Sequence, residues 1–213
     1  SPKAGLSNVE AAIDTPGGKG GIRAAQMKAG LQEIQGDLAD IARENPLKSK
    51  GAERFHEEAE NIGEHQKKIW DEAHTPQVQR WEGEEGNSQF IVASAERGLP
   101  AKLADAAPGE TASARAWIDE VLNKPRTIGQ WDAFLRELNA DLDSVLKGKP
   151  SESPYGRKKV LVMQEAAKAI RTDIDRVLEE KGEPGVAEFN RRWGALNSLK
   201  ERLLEKGVEE ARK

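Results

Sequence analysis

Three histidines, His56, His65 and His74, recur at intervals of nine residues in a stretch rich in glutamate and aspartate. Imidazoles and carboxylates bind transition metals and move protons near neutral pH, so their spacing decides whether they can cooperate. On a helix, nine residues turn through roughly 900°, half a turn net. Consecutive histidines then point to opposite faces. Glu53-x-x-His56 matches half of a di-iron carboxylate motif, and Asp71-x-x-His74 is the nearest second copy. That motif needs two such pairs on different helices and two further glutamates, whereas these two sit on one face roughly 27 Å apart at helical rise. No metal site is expected.

Nucleophilic chemistry fares no better. The chain has no cysteine, which rules out disulfides, thiol catalysis and thiolate metal sites, and no G-x-S-x-G elbow. The acid pairs Glu57-Glu58 and Glu84-Glu85 fall in polar stretches that would not shift a carboxyl pKa, and read as surface charges. "PGGKGG", residues 16–21, invites a phosphate cradle, but a Walker loop requires G-x-x-x-x-G-K-[ST] after a strand. Lys19 is followed by Gly20 and no strand precedes the run, so it reads as a hinge. No catalytic residue and no cofactor are expected.

"YGRKK" and "FNRRW" set basic residues beside aromatics, a combination that can stack bases and hold phosphates. Phe189 and Trp193, however, fall on an apolar stripe and read as core, leaving Arg157, Lys158, Arg191 and Arg192 as outer-face charges. Five tryptophans stand against one tyrosine. Trp131 and Trp193 read as core anchors, while Trp81 lies in a polar stretch, where a large aromatic marks a contact surface. Trp81, Trp70, Arg191 and Arg192 are the interaction candidates.

The elements that carry these residues are helical. Met27, Leu31, Ile34, Leu38 and Ile41 form one stripe, which ends at Pro46; Phe55, Ala59, Ile62, Ile69 and Ala73 form a second, and the two should fold back antiparallel. "QFIVASAERG" fits a short helix or strand, and "LPAKLADAAPGE" reads as a linker with a boundary near Pro108. A helix follows over residues 112–123. Thr127 and Gln130 form a capping box ahead of Trp131, Leu135, Leu138, Leu142 and Val145, a helix ending at Gly148. Ser153-Pro154 opens the next, with Val160, Met163, Ala167, Ile170, Ile174 and Val177, stopped by Gly182. Pro184 restarts a helix that buries Val186, Phe189, Trp193, Leu196 and Leu203, so the last two helices should form a tight hairpin. Gly194 interrupts this helix at a cost of roughly 1 kcal/mol relative to alanine, which predicts a neighbouring helix or bulky side chain passing close.

The expected fold is all-α, an elongated bundle of long helices paired as antiparallel coiled-coil-like hairpins. It divides into a flexible segment at 1–20, an N-terminal hairpin with an irregular stretch at 21–107, and a C-terminal bundle at 108–213. Composition agrees: 37% hydrophobic, 5% aromatic and 33% charged residues are lean for a compact core but ordinary for long helices with narrow apolar stripes. The net charge of -4 gives no global basic field, although residues 155–213 carry 14 Lys and Arg against 11 Asp and Glu. No run approaches a membrane span or a secretory signal. The start at Ser1 is that expected of a processed, trimmed or partial chain.

Three segments, "NKPRTIGQWDAFLRELNADLDSVL", "AAKAIRTDIDRVLEE" and "GVAEFNRRWGALNSLKERLLEK", resemble a group of helical proteins encoded by tailed bacteriophages and prophages. Leu138-Asn139, Ala169-Ile170-Arg171 and Trp193-Gly194-Ala195-Leu196 match as they stand; tryptophan replaces the group's usual tyrosine. The resemblance covers residues 112–206 and carries no catalytic motif. It implies a virion-associated structural or internal protein, found in the virion or in the bacterial cytoplasm during assembly, whose partners are copies of itself and other virion proteins. Nucleic-acid association through the mildly basic C-terminal helices is the alternative.

Overall fold

The structure is a computed structural model that describes residues 28–147 and 156–213, with side chains from 28–142 and 160–213. It is all-α, and its helix packing fits a bundle. Helical residues 28–33 are followed by α1 (Gln35–Glu44), α2 (Glu53–Ile69), a π-helical turn (Trp70–His74) and α3 (Thr75–Arg80). Then come α4 (Ser88–Lys102), α5 (Pro108–Leu122), α6 (Ile128–Lys147), α7 (Gly156–Glu180) and α8 (Val186–Ala211). Among the described residues the β-type pairing is a lone bridge between Glu85 and Thr127. The expected N-terminal flexible segment, the glycine run, Met27, the Gly148 stop and the Ser153-Pro154 cap lie outside the described residues, as does the side chain of Val145.

Two compact units result. One comprises the described residues up to Thr75 together with Gly185–Lys213; the other is Pro76–Pro184. The division therefore does not fall near Pro108, because α4, on one side of that proline, packs along α7, on the other. The hairpin expected of the last two helices is corrected as well. Gly182 ends α7 in a Schellman motif, with φ +72°, its N–H bonded to Glu179 O at 3.0 Å and Glu183 N–H to Leu178 O at 2.9 Å. Gly185, at φ +82°, then starts α8 in the first unit.

In the first unit α8 runs antiparallel to α2. Gly207 faces Phe55, Lys200 Nζ donates to Gln66 Oε1 at 2.9 Å, and the Phe189 ring lies 5.9 Å from Trp70. The antiparallel partner of α2 is thus the last helix of the chain, and α1 is a lesser neighbour. Ile34, Ile41, Phe55, Ile62, Leu196 and Leu203 fill the interior, each burial stabilising by about 1.5–3 kcal/mol. The π-helical turn, in which Thr75 N–H bonds to Trp70 O, sits directly before Pro76. Proline has no N–H and crowds the carbonyl four residues back, and a widened turn accommodates both.

In the second unit α7 is the central helix, with α4, α5 and α6 packed on it. α4 runs antiparallel to α7, with Asn87 near Asp173 and Gly98 against Glu165. "QFIVASAERG" is helical, because Asn87 Oδ1 caps it by accepting from Phe90 N–H at 3.0 Å. α4 continues through Pro100 to Lys102 where a linker was expected. The Thr127–Gln130 capping box forms as expected, with reciprocal bonds of 3.0 and 3.3 Å. Trp131, Leu135, Ile170, Ile174 and Leu178 are buried.

Gly194 does not face a close neighbour. A Cβ there would meet nothing within 4 Å, and the residue is exposed. The tight approach lies one residue on, where a Cβ on Gly30 would lie 3.2 Å from that of Ala195.

Candidate functional site

Two places in the fold gather polar chemistry, one in each unit. In the first, α1 contributes Asp37, α2 His65 and α8 Arg192. His65 Nε2 lies 2.8 Å from Asp37 Oδ1, and Arg192 donates to the same carboxylate from Nη2 at 2.7 Å and Nε at 3.1 Å. Burial pushes the Asp37 carboxyl up, but the hydrogen bonds from His65 and Arg192 outweigh it and hold its pKa at about 2. An Asp–His pair is the frame of a general base, but here the second ring nitrogen, Nδ1, is buried without a partner. A base must reach the proton it abstracts; this one is sealed inside the unit, and the cluster acts as a tether among three helices.

The sequence-predicted residues sit around it as follows. Trp70 is buried, with its ring 4.1 Å from His74, 5.0 Å from Trp193 and 5.9 Å from Phe189. It is a core residue of the first unit. Trp193 is half-buried against Trp70 and Phe189. Arg191 Nε pairs with Glu33 at 3.2 Å on the surface, and Arg192 is committed to Asp37. His56 is exposed beside Glu60, while His65 and His74 are buried. Among the described residues no group of three or more His, Asp or Glu side chains is placed to hold a metal, and no helix is long and apolar enough to cross a membrane.

In the second unit Trp81 is half-buried, and its Nε1–H donates to Glu183 Oε2 at 2.8 Å. Arg80 forks onto the same carboxylate. Arg80, against the effect of burial and helped by Trp81, holds the Glu183 carboxyl below the usual carboxylate range. Trp81 therefore fastens the start of this unit to its end, and is not a bare contact surface.

The second polar place was not foreseen. The turn at 82–86 is sewn to the start of α6 by Gly129 N–H to Glu82 O at 3.1 Å, Ile128 N–H to Glu84 O at 2.8 Å and Gly86 N–H to Arg126 O at 3.0 Å. Gly86 is required here, because a Cβ would lie 2.5 Å from Trp131 Cδ1. Asp173 of α7 accepts from Asn87 N–H at 2.7 Å and from Arg176 Nε at 2.9 Å. These bonds frame an open basin of about 590 Å³ beside the first turns of α4 and α6, flanked by Arg126, Arg176, Gln130 and Glu85.

No protein-family model, curated protein or solved structure matches the chain. Residues 112–206 divide after Pro184, part in each unit. Trp193-Gly194-Ala195-Leu196 lies in α8, where Ala195 meets Gly30 and Leu196 is fully buried.

Proposed function

We propose that this chain is a non-enzymatic helical structural protein that works by assembling with itself and with other proteins, in the setting of a tailed-phage or prophage virion. The observation that carries the reading is on α8. Leu204 and Val208, one helical turn apart, stay 39% and 53% exposed, while Leu199 and Leu203 beside them are buried. An apolar pair held in water along a long helix is what a helix-to-helix contact would cover.

The placement of the ionisable groups supports the same reading. Asp37, His65, Glu183 and Asp173 are all buried and hold helices together. The basic residues of "FNRRW" are paired with Glu33 and Asp37, which favours protein contacts over nucleic acid. The resemblance supplies the setting. Light scattering over a wide concentration range tests the proposal: a mass that rises above the monomer is expected, and a strict monomer would overturn it.

A further inference from the structure

One face of α8 is left uncovered along its last three turns. Glu201, Leu204, Val208 and Arg212 are exposed, and at roughly 100° per residue they fall within about 80° of arc. Arg212 stands just past Ala211 with helical dihedrals, φ -91° and ψ -7°, so it continues that face. Leu199, Leu203 and Gly207 turn instead toward the interior, where Gly207 meets Phe55 of α2. The other charges at this end are matched or turned away. Arg202 pairs with Glu205 and Glu209, Lys206 with Glu209 and Glu210, and Lys213 with Glu210, while Lys200 donates to Gln66 of α2. Glu201 accepts a long bond from Asn197 at 3.4 Å, and neither it nor Arg212 has an ion-pair partner among the described residues. The seam therefore runs acid, apolar, apolar, base.

We propose that α8 docks antiparallel on the α8 of a second copy of this chain, across a two-fold axis at the level of residue 206. Leu204 then packs on the partner's Val208, and Glu201 pairs with the partner's Arg212. The order of the four residues selects this occupant. A two-fold contact brings residue i to j and j to i. Leu204 and Val208 lie two residues to either side of 206, and Glu201 and Arg212 lie five and six. The last mismatch is about 1.5 Å along the helix, which two long side chains absorb. An acid thus meets a base at both ends of the apolar pair. Parallel pairing would set Glu201 against Glu201 and Arg212 against Arg212, and flanking charges of this kind fix helix orientation. A two-fold contact also closes at two copies. This inference rests on the protein-assembly reading and names its partner, orientation and stoichiometry.

The test is sedimentation equilibrium of the full chain with charge reversals. The wild-type mass should level off at two copies. Glu201→Arg and Arg212→Glu should each weaken the dimer by about tenfold, since either sets like charges together at both ends of the seam. The double reversal Glu201→Arg/Arg212→Glu should restore it. Because the chain has no cysteine, an equimolar mixture of Leu204→Cys and Val208→Cys chains reports orientation: on mild oxidation, mixed cross-links should dominate. Reversals without effect, a double reversal that fails to recover the dimer, cross-links mainly between like chains, or a mass that climbs past two copies would each overturn the proposal. Self-association with any of those outcomes sinks this inference alone. A strictly monomeric wild type sinks the assembly reading too, and leaves the seam to another segment of this chain or to a different protein.

Discussion

Arg192 and Asp37, 155 residues apart in sequence, are joined by two hydrogen bonds of 2.7 and 3.1 Å. The pair ties the last helix of the chain to α1, and His65 locks it from α2. With the Asp37 pKa near 2 in the folded state and 3.8 as the ordinary value, the carboxylate contributes stability that is present above about pH 4 and lost as the pH falls toward 2. Arg192→Met should cost about 3 kcal/mol in urea unfolding at pH 7, because it leaves a buried carboxylate half-satisfied. Most of that cost should vanish near pH 2. An equal loss at both pH values would show that the pairing is not its source.

Glu58 behaves in the opposite sense, and it is not the surface charge its polar stretch suggests, because it is buried on α2. Burial, with a smaller contribution from Glu57, raises its carboxyl to about 6. Its contribution is fully favourable below about pH 4.5 and is lost as the pH rises through 6. Glu58→Gln should therefore stabilise the protein at pH 7.5, by on the order of 1–2 kcal/mol, and change little at pH 4.5. Denaturation midpoints at the two pH values check this directly.

Two glycines give a paired steric prediction. Gly86→Ala drives a methyl into the buried edge of Trp131 and should destabilise by about 1–3 kcal/mol. Gly194→Ala meets open space in the middle of α8 and should stabilise by about 0.5–1 kcal/mol. Thermal melts of the two variants should move in opposite directions.

Trp81 tests whether that residue is a fastening or a contact. Trp81→Phe keeps the ring but loses the bond to Glu183, and should cost about 1 kcal/mol of stability while leaving the oligomeric mass unchanged. A change in mass without a change in stability would restore Trp81 as an interface residue.

The apolar stripes were legible because period alone fixes them. Ile34, Leu38 and Ile41, then Phe55, Ala59 and Ile62, are buried as their spacing requires. Helix pairing was not legible, since a stripe says that a face is covered and not by what. The short Gly182-Glu183 connection looked like a hairpin, but α7 and α8 found different partners. Asp37 and His65 left a faint trace: Asp37 stands one turn from Ile34 and His65 one turn from Ile62, both polar residues within an apolar register.

The account stands most directly on Leu204 and Val208. Sedimentation equilibrium of the wild-type chain beside Leu204→Glu/Val208→Glu is the deciding measurement, since both positions are exposed and tolerate charge without unfolding. The account predicts a wild-type mass above the monomer that the double substitution returns to the monomer. A wild-type chain that stays monomeric, or an oligomer indifferent to both substitutions, would contradict it.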